Sequence, residues 1–429
     1  MGPVSRSKLL NRFARAGLRS ALGRLKDGEL ILEEDGRERR FGRPSDRVPW
    51  TGRVAIHDPA FYARAVLGGT IGICESYMDG DWDADDLATV GRILLSNQAV
   101  FHGFDRGPDW LKRPVHLLGH RLRRNSHGNS RRNISEHYDL GNDFFERFLD
   151  PTLTYSAGIF ERPEATMEEA SIAKYERICR KLSLRPEHHV LEIGTGWGGF
   201  ALHAAGKFGC RVTSTTISEQ QHARARERIR AAGLDGRVTL LLDDYRNLTG
   251  RFDRCVSIEM IEAVGHQYLE GYFRVACDRL TPEGLFCLQA ITVADQRFEH
   301  HKRSVDFIKR YIFPGGCLPS IHAILDACIR KTDFQMVHLE DITPHYAETL
   351  SRWRERLRKN WDEIRRLGYE ERFLRLWEYY LCNCQAAFAE RYVSDVQIVL
   401  ARPGARATTI LGELVPVGVA PPVPAARRT

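Results

Sequence analysis

The chain has 429 residues, 43% hydrophobic and 28% charged, a composition that excludes a disordered protein and leaves room for two domains. Its net charge of +7 suits phosphate-bearing partners, either nucleic acid or an anionic bilayer surface. No apolar run reaches the roughly eighteen residues of a membrane-spanning helix, and the ten cysteines lack the CxxC or His spacing of a zinc site, so no metal is expected and a reducing, cytoplasmic setting is.

In chain order, residues 1–22 carry Leu9, Leu10, Phe13, Leu18 and Leu22 among Arg and Lys. This predicts a short basic amphipathic helix, either lying on a membrane or docked on the protein. Residues 23–100 alternate strand-like runs (GELILEE, RVAIHD) with a helical run, and 1–105 is taken as a small α+β domain. A basic stretch, 106–133, is expected to be a linker whose cations can face lipid phosphates. Aromatic residues do not interleave with its charges, which argues against nucleic acid.

From 134 to 402, the runs HHVLEIG, RVTSTTI, RVTLLL, DRCVSIEM and GLFCLQAITV are separated by helical segments in their first part. That alternation predicts a doubly wound α/β domain with a mainly parallel sheet. The Ala- and Pro-rich tail, 403–429, is expected to be disordered.

The strongest signal is Val190 to Gly199, VLEIGTGWGG, a strand running into a glycine turn and a helix. Gly194, Gly196 and Gly199 also satisfy GxGxxG, so a dinucleotide oxidoreductase is a competing reading. Glu192 stands where such a strand is normally apolar, and its carboxylate suits the ammonium of a methionine moiety. The next strand ends in Thr216-Ile217-Ser218, with Gln221 a turn later, and lacks the acid that binds a dinucleotide ribose. Asp244 and Tyr245, after the third strand, suit an adenine amino group and ring.

The sequence resembles the cyclopropane-fatty-acyl-phospholipid synthase and mycolic acid cyclopropane synthase family. The phrases ISEHYDLGNDFF (134–145), LDPTLTYS (149–156), SIEMIEAVGH (257–266) and RYIFPGGCLPS (310–320) carry it, together with the Tyr379–Phe388 stretch. The resemblance implies a class I methyltransferase fold with a seven-stranded, mainly parallel sheet, S-adenosylmethionine as cofactor, and unsaturated phospholipid acyl chains as substrate. It implies a protein peripheral to the inner face of the membrane, and a homodimer is compatible with it. Tyr155 and Ser156 match the segment that closes over the cofactor. Glu192, Gly194, Gly196, Thr216, Ile217, Gln221, Asp244 and Tyr245 match its contacts. Glu262, Ile291 and Tyr346 match positions around a bicarbonate ion that the family uses as a base.

Two positions depart from the family. Ala157 stands where Cys is common and Gln289 where His is common, so the expectation is a weakened bicarbonate site. Attack of the alkene on the sulfonium methyl leaves a carbocation, and loss of a proton from that methyl closes a three-membered ring. Tyr311, Phe313, Trp353 and Tyr380 are candidates to face the cation. Proton loss elsewhere gives a methylene branch instead, and a non-catalytic lipid-binding protein is a further alternative.

Overall fold

The β-rich runs of the sequence become strands of two sheets in the computed structural model, which describes residues 8–101 and 141–406. Strands β1 (Gly28–Glu34), β2 (Arg37–Arg43), β3 (Thr51–Ile56) and β4 (Trp82–Ala84) form the smaller sheet, in the order β2-β1-β3-β4. Alternate residues of β3 are buried, as expected for a strand with one face on a core. Leu30, Leu32, Val54, Ile56, Tyr62 and Trp82 build that core.

Helices α1 (Lys8–Leu22), α2 (Ala60–Met78) and α3 (Leu87–Ser96) accompany this sheet. Of the two expectations for the N-terminal helix, docking on the protein is the one observed. Ala14, Ala21 and Leu22 are buried, and Arg15 and Arg19 pair with the buried Glu34 of β1, Arg19 at 2.8 Å.

The larger sheet has seven strands: β5 (His189–Ile193), β6 (Arg211–Thr216), β7 (Val238–Leu242), β8 (Phe252–Ile258), β9 (Leu280–Val293), β10 (Gln335–Asp341) and β11 (Val393–Ala401). Their order is β10-β11-β9-β8-β5-β6-β7. Only β11 runs against the rest, antiparallel to both β9 and β10. The central strands are apolar on both faces because helices cover both.

Val190, Val212, Cys287 and Val399 pack with α5 (Met167–Lys181) and α6 (Gly199–Phe208), which follow the shorter α4 (Asn142–Phe148). Leu191, Cys255, Leu288 and Ile398 pack on the opposite side with α8 (Leu269–Arg279) and α9 (Ile321–Lys331). Between these pairs, α7 (Glu219–Ala231) joins β6 to β7.

Two long helices near the end of the described chain, α10 (Thr343–Lys359) and α11 (Glu371–Ala389), tie the sheets together. Tyr77 of α2 donates to Glu378 of α11 at 2.8 Å, and Arg92 of α3 donates to Glu390 at 2.7 Å. Trp377 is fully buried at the junction, 4.8 Å from Phe144 and 5.5 Å from Tyr380 between ring centroids. Residues 106–133, expected to be a linker, and residues beyond 406 lie outside the described residues, whereas 403–406 are tied to the sheet by Gly404 N–H donating to Pro282 (3.0 Å). Trp377→Ala is expected to lower the unfolding free energy by about 3–5 kcal/mol in chemical denaturation. An unchanged midpoint would mean that this aromatic cluster does not support the junction.

Candidate active site

The C-terminal ends of β5, β6, β7 and β8 open on one side of the large sheet, where ligands bind in doubly wound folds. After β5 the chain turns through Gly194 and Gly196, both at positive φ (+102° and +51°), into α6. A Cβ on Gly196 would meet nothing within 4 Å, so the loop leaves open space. At Gly199 a Cβ would lie 2.4 Å from the Tyr175 hydroxyl, so a larger residue there would have to displace the Tyr175 ring.

Glu192 is 3% exposed and accepts from Ser214 Oγ at 2.5 Å. Burial raises its carboxyl from the ordinary 4.5 to about 8. Thr216 donates to Gln221 at 3.1 Å, and Ser218 caps α7. Asp244 is engaged by Arg246 through Nε at 2.8 Å, while Tyr245 packs edge-on against Tyr272. Tyr155 stacks on Trp353 at 5.3 Å, its hydroxyl 3.2 Å from that of Tyr380.

The family phrases brace this region. Asn142 accepts from the Trp197 indole at 2.8 Å, linking the DLGNDFF phrase to the glycine loop. Cys317 N–H donates to the Glu262 carbonyl at 2.8 Å, linking the PGGCLP phrase to the end of β8.

The second centre is a group of buried acids. Ile291 N–H donates to Glu262 Oε1 at 2.6 Å. The hydroxyl of Tyr346, however, donates to Glu259 Oε2 at 2.7 Å. Glu259 Oε1 accepts from Gln289 Nε2 at 2.7 Å and from Ala157 N–H at 2.9 Å. At position 157 the donor to Glu259 is the main-chain N–H, which alanine supplies as well as cysteine does. Gln289 likewise remains a donor.

Sequence reasoning missed Glu259 and Lys174. Glu259 is the first residue past β8 and adopts a left-handed backbone, φ +47°. Lys174 of α5 has no solvent exposure, donates to Ser156 Oγ at 2.5 Å, and is lowered to about 8 by burial, against the pull of Glu259 and Asp395. The only signal for Glu259 was its place beside Glu262 in the phrase after β8.

Every residue matched above to the cofactor or to the bicarbonate ion lines one cavity of about 960 Å³, whereas Ala157, Ser218 and Gln289 do not. Glu259, Phe313 and Tyr380 line it too, and so do Leu30, Leu32, Val54 and Phe61 of the smaller sheet and its helix α2. Trp353 is fully buried behind Tyr155, and Tyr311 bonds to Glu75, so neither of these candidates is in the lining.

The strand order, the single reversed strand and the glycine loop define a class I, S-adenosylmethionine-dependent methyltransferase fold. Coclaurine N-methyltransferase shares it, at a TM-score of 0.59 and 21% identity, over 77% of this chain and 98% of that one. The chain belongs to the mycolic acid cyclopropane synthetase family, whose model matches residues 125–398.

Among its relatives, tuberculostearic acid methyltransferase UfaA1 of Mycobacterium tuberculosis is 39% identical, covering 85% of this chain and 86% of its own. Cyclopropane-fatty-acyl-phospholipid synthase of Escherichia coli K12 is also 39% identical, covering 81% and 87%. Mycolic acid cyclopropane synthase CmaA1, complexed with SAH and CTAB, superimposes with a TM-score of 0.59 at 32% identity, over 63% of this chain and 98% of that one.

Glu262, like Glu192, is raised to about 8 from its ordinary 4.5, first by burial and then by the charge of Glu259. The folded protein thus keeps protons that the unfolded chain releases near 4.5, and this stability is lost as pH rises through about 8. The thermal midpoint of the ligand-free protein should fall between about pH 5 and 8, and Glu262→Gln should flatten part of that fall. An identical profile in the variant would rule out a protonated Glu262.

Proposed function

We propose that the protein transfers a methyl(ene) group from S-adenosylmethionine to the cis double bond of an unsaturated phospholipid acyl chain, closing a cyclopropane ring. The observation that carries this reading is the single cavity, with the glycine loop at one end and apolar side chains of the smaller sheet at the other. A cationic cofactor and an aliphatic chain need those two environments, and they must meet in a water-poor space.

In this reading Glu192 holds the cofactor ammonium, Thr216, Ile217 and Gln221 lie along the ribose, and Asp244 and Tyr245 flank the adenine. Gly194 and Gly196 let the main chain approach, and Tyr155 and Ser156 close over it. When bound, the cofactor supplies an electrophilic methyl. The protein aligns the alkene with it, excludes water, and offers aromatic faces such as Phe313 and Tyr380 to developing positive charge. Residues 1–105 take the acyl chain, and the net charge of +7 favours docking on anionic lipid at a membrane surface.

Bicarbonate, implied by the family resemblance, does not fit the residues as they stand. Three donors grouped where it was expected, on Ala157, Gln289 and Tyr346, already meet at the Glu259 carboxylate. A second reading, a methylene- or methyl-branching C-methyltransferase, is favoured by the 39% identity to a protein named as a tuberculostearic acid methyltransferase.

Expression in a host rich in unsaturated phospholipid should add one CH2 to acyl chains in the lipid extract. Mass spectrometry with ring-opening derivatisation separates a ring from a branch. Unaltered lipids from cells containing folded, cofactor-binding protein would sink the proposal.

Cofactor binding carries its own pH signature. An ammonium beside Glu192 favours the ionised carboxylate, so binding should release a proton below about pH 8. Calorimetric affinity is expected to rise by up to about tenfold per pH unit on approaching that value and then level off. Glu192→Gln should bind more weakly and lose the slope. A slope that persists would assign the proton to another group.

A further inference from the structure

We infer that the Glu259 carboxylate is the resident anion of this site and itself takes the proton released on ring closure, in place of a bicarbonate from solution. The inference rests on the methyl-transfer reading above and names its base.

Position comes first. Glu259 follows directly on β8 and lines the cavity together with Glu262, Ile291 and Tyr346. Its φ of +47° is one that non-glycine residues adopt only where their surroundings hold them. Here the holding groups are the Ala157 N–H, the Gln289 amide and the Tyr346 hydroxyl, at 2.7–2.9 Å. Burial and the charge of Glu259 keep Tyr346 protonated well beyond the usual range, so it remains a donor. A small anion from solution would have to compete with a tethered carboxylate for the same three groups, and tethering wins such contests by effective concentration.

Charge balance agrees with an ionised Glu259. Lys174, wholly buried, provides the counter-charge. Burial raises Glu259 as well, but Lys174 and the donors on Tyr346, Ala157 and Gln289 pull it back, whereas Asp395 is pushed well above its ordinary range by burial and then by Glu259 and Glu262; of the two, Asp395 holds the proton. Glu262, also protonated at neutral pH, is a poor acceptor. The role it was expected to play therefore passes to Glu259.

The step balances without a further reactant. The alkene pair bonds to the methyl carbon as the carbon–sulfur pair returns to sulfur, giving neutral S-adenosylhomocysteine and a carbocation. A C–H bond of the new methyl then breaks. Its proton goes to a Glu259 oxygen and its electron pair forms the last ring bond. The carboxylic acid so formed returns the proton to solvent after product leaves.

The test compares wild type, Glu259→Gln and Glu259→Gly in buffer freed of carbon dioxide, with and without millimolar sodium bicarbonate. Cofactor binding is measured in each as a check on folding. Wild type should turn over equally in both buffers. Glu259→Gln should lose roughly a hundredfold or more of the rate, the scale of a general base.

Glu259→Gly suits the left-handed backbone and frees the three donors, so it should be inactive without carbonate and recover when bicarbonate is added. Calorimetric titration with bicarbonate alone should show saturable binding to Glu259→Gly and none to wild type. Saturable binding to wild type, a wild-type rate that needs bicarbonate, or a fully active Glu259→Gln in carbonate-free buffer would each overturn the inference. If wild type methylates no lipid in either buffer, the proposed function falls, and the titration still decides which anion fills the site.

Discussion

A carboxylate removed from water must be met by donors and by a counter-charge, and at Glu259 these arrive from widely separated stretches of chain. Ala157 lies 102 residues away in sequence, Gln289 30 and Tyr346 87. Each can reach only if its own element is in register. Gln289 sits in β9 opposite Ile258 of β8 and Gln397 of β11, and it accepts from Gln397 Nε2 at 3.0 Å. Lys181 continues the polar seam by donating to Gln397 and Glu340, both at 2.7 Å. Leaving such a network half-satisfied is costly, so the seam fixes strand register in a sheet whose apolar residues would tolerate slippage.

The same cluster explains why the cavity can be apolar on one side and ionic on the other. Leu30, Leu32 and Val54 need no partners, whereas Glu192, Glu259 and Glu262 sit where only Lys174 and a few neutral donors temper their burial. Keeping Glu192 and Glu262 neutral until a cation arrives limits the electrostatic penalty of the ligand-free protein. Stability and ligand recognition thus draw on the same protons.

Much of this was legible in the sequence. Four strands of the large sheet, β5, β6, β8 and β9, announced themselves because a strand buried on both faces is a short apolar run, and the edge strand β7 did so through its Leu-rich run although it is half-exposed. Glu192 stood out as an acid inside such a run, and the glycine loop had the right neighbours. The other edge strands were harder. β2 is RERRFGR and mostly exposed, and β10, QMVHLED, has one covered edge and little buried surface. Without a buried face, hydrophobic period carries no signal. Glu259 was hidden for another reason: in linear form it and Glu262 are two acids in one phrase. What separates them is the direction of the chain as it leaves β8, and that is set by donors 30 to 102 residues away.

The left-handed turn at Glu259 also bears on how this site could change over generations. Glycine occupies that backbone region without strain, and glutamate and glycine codons can differ by a single base. On the inference that Glu259 is the base, one such mutation exchanges a base carried by the gene for one drawn from dissolved carbon dioxide. On the same inference, the step between self-sufficiency and dependence on the cell's carbonate supply is a single base change in either direction, at a backbone conformation that both residues can adopt.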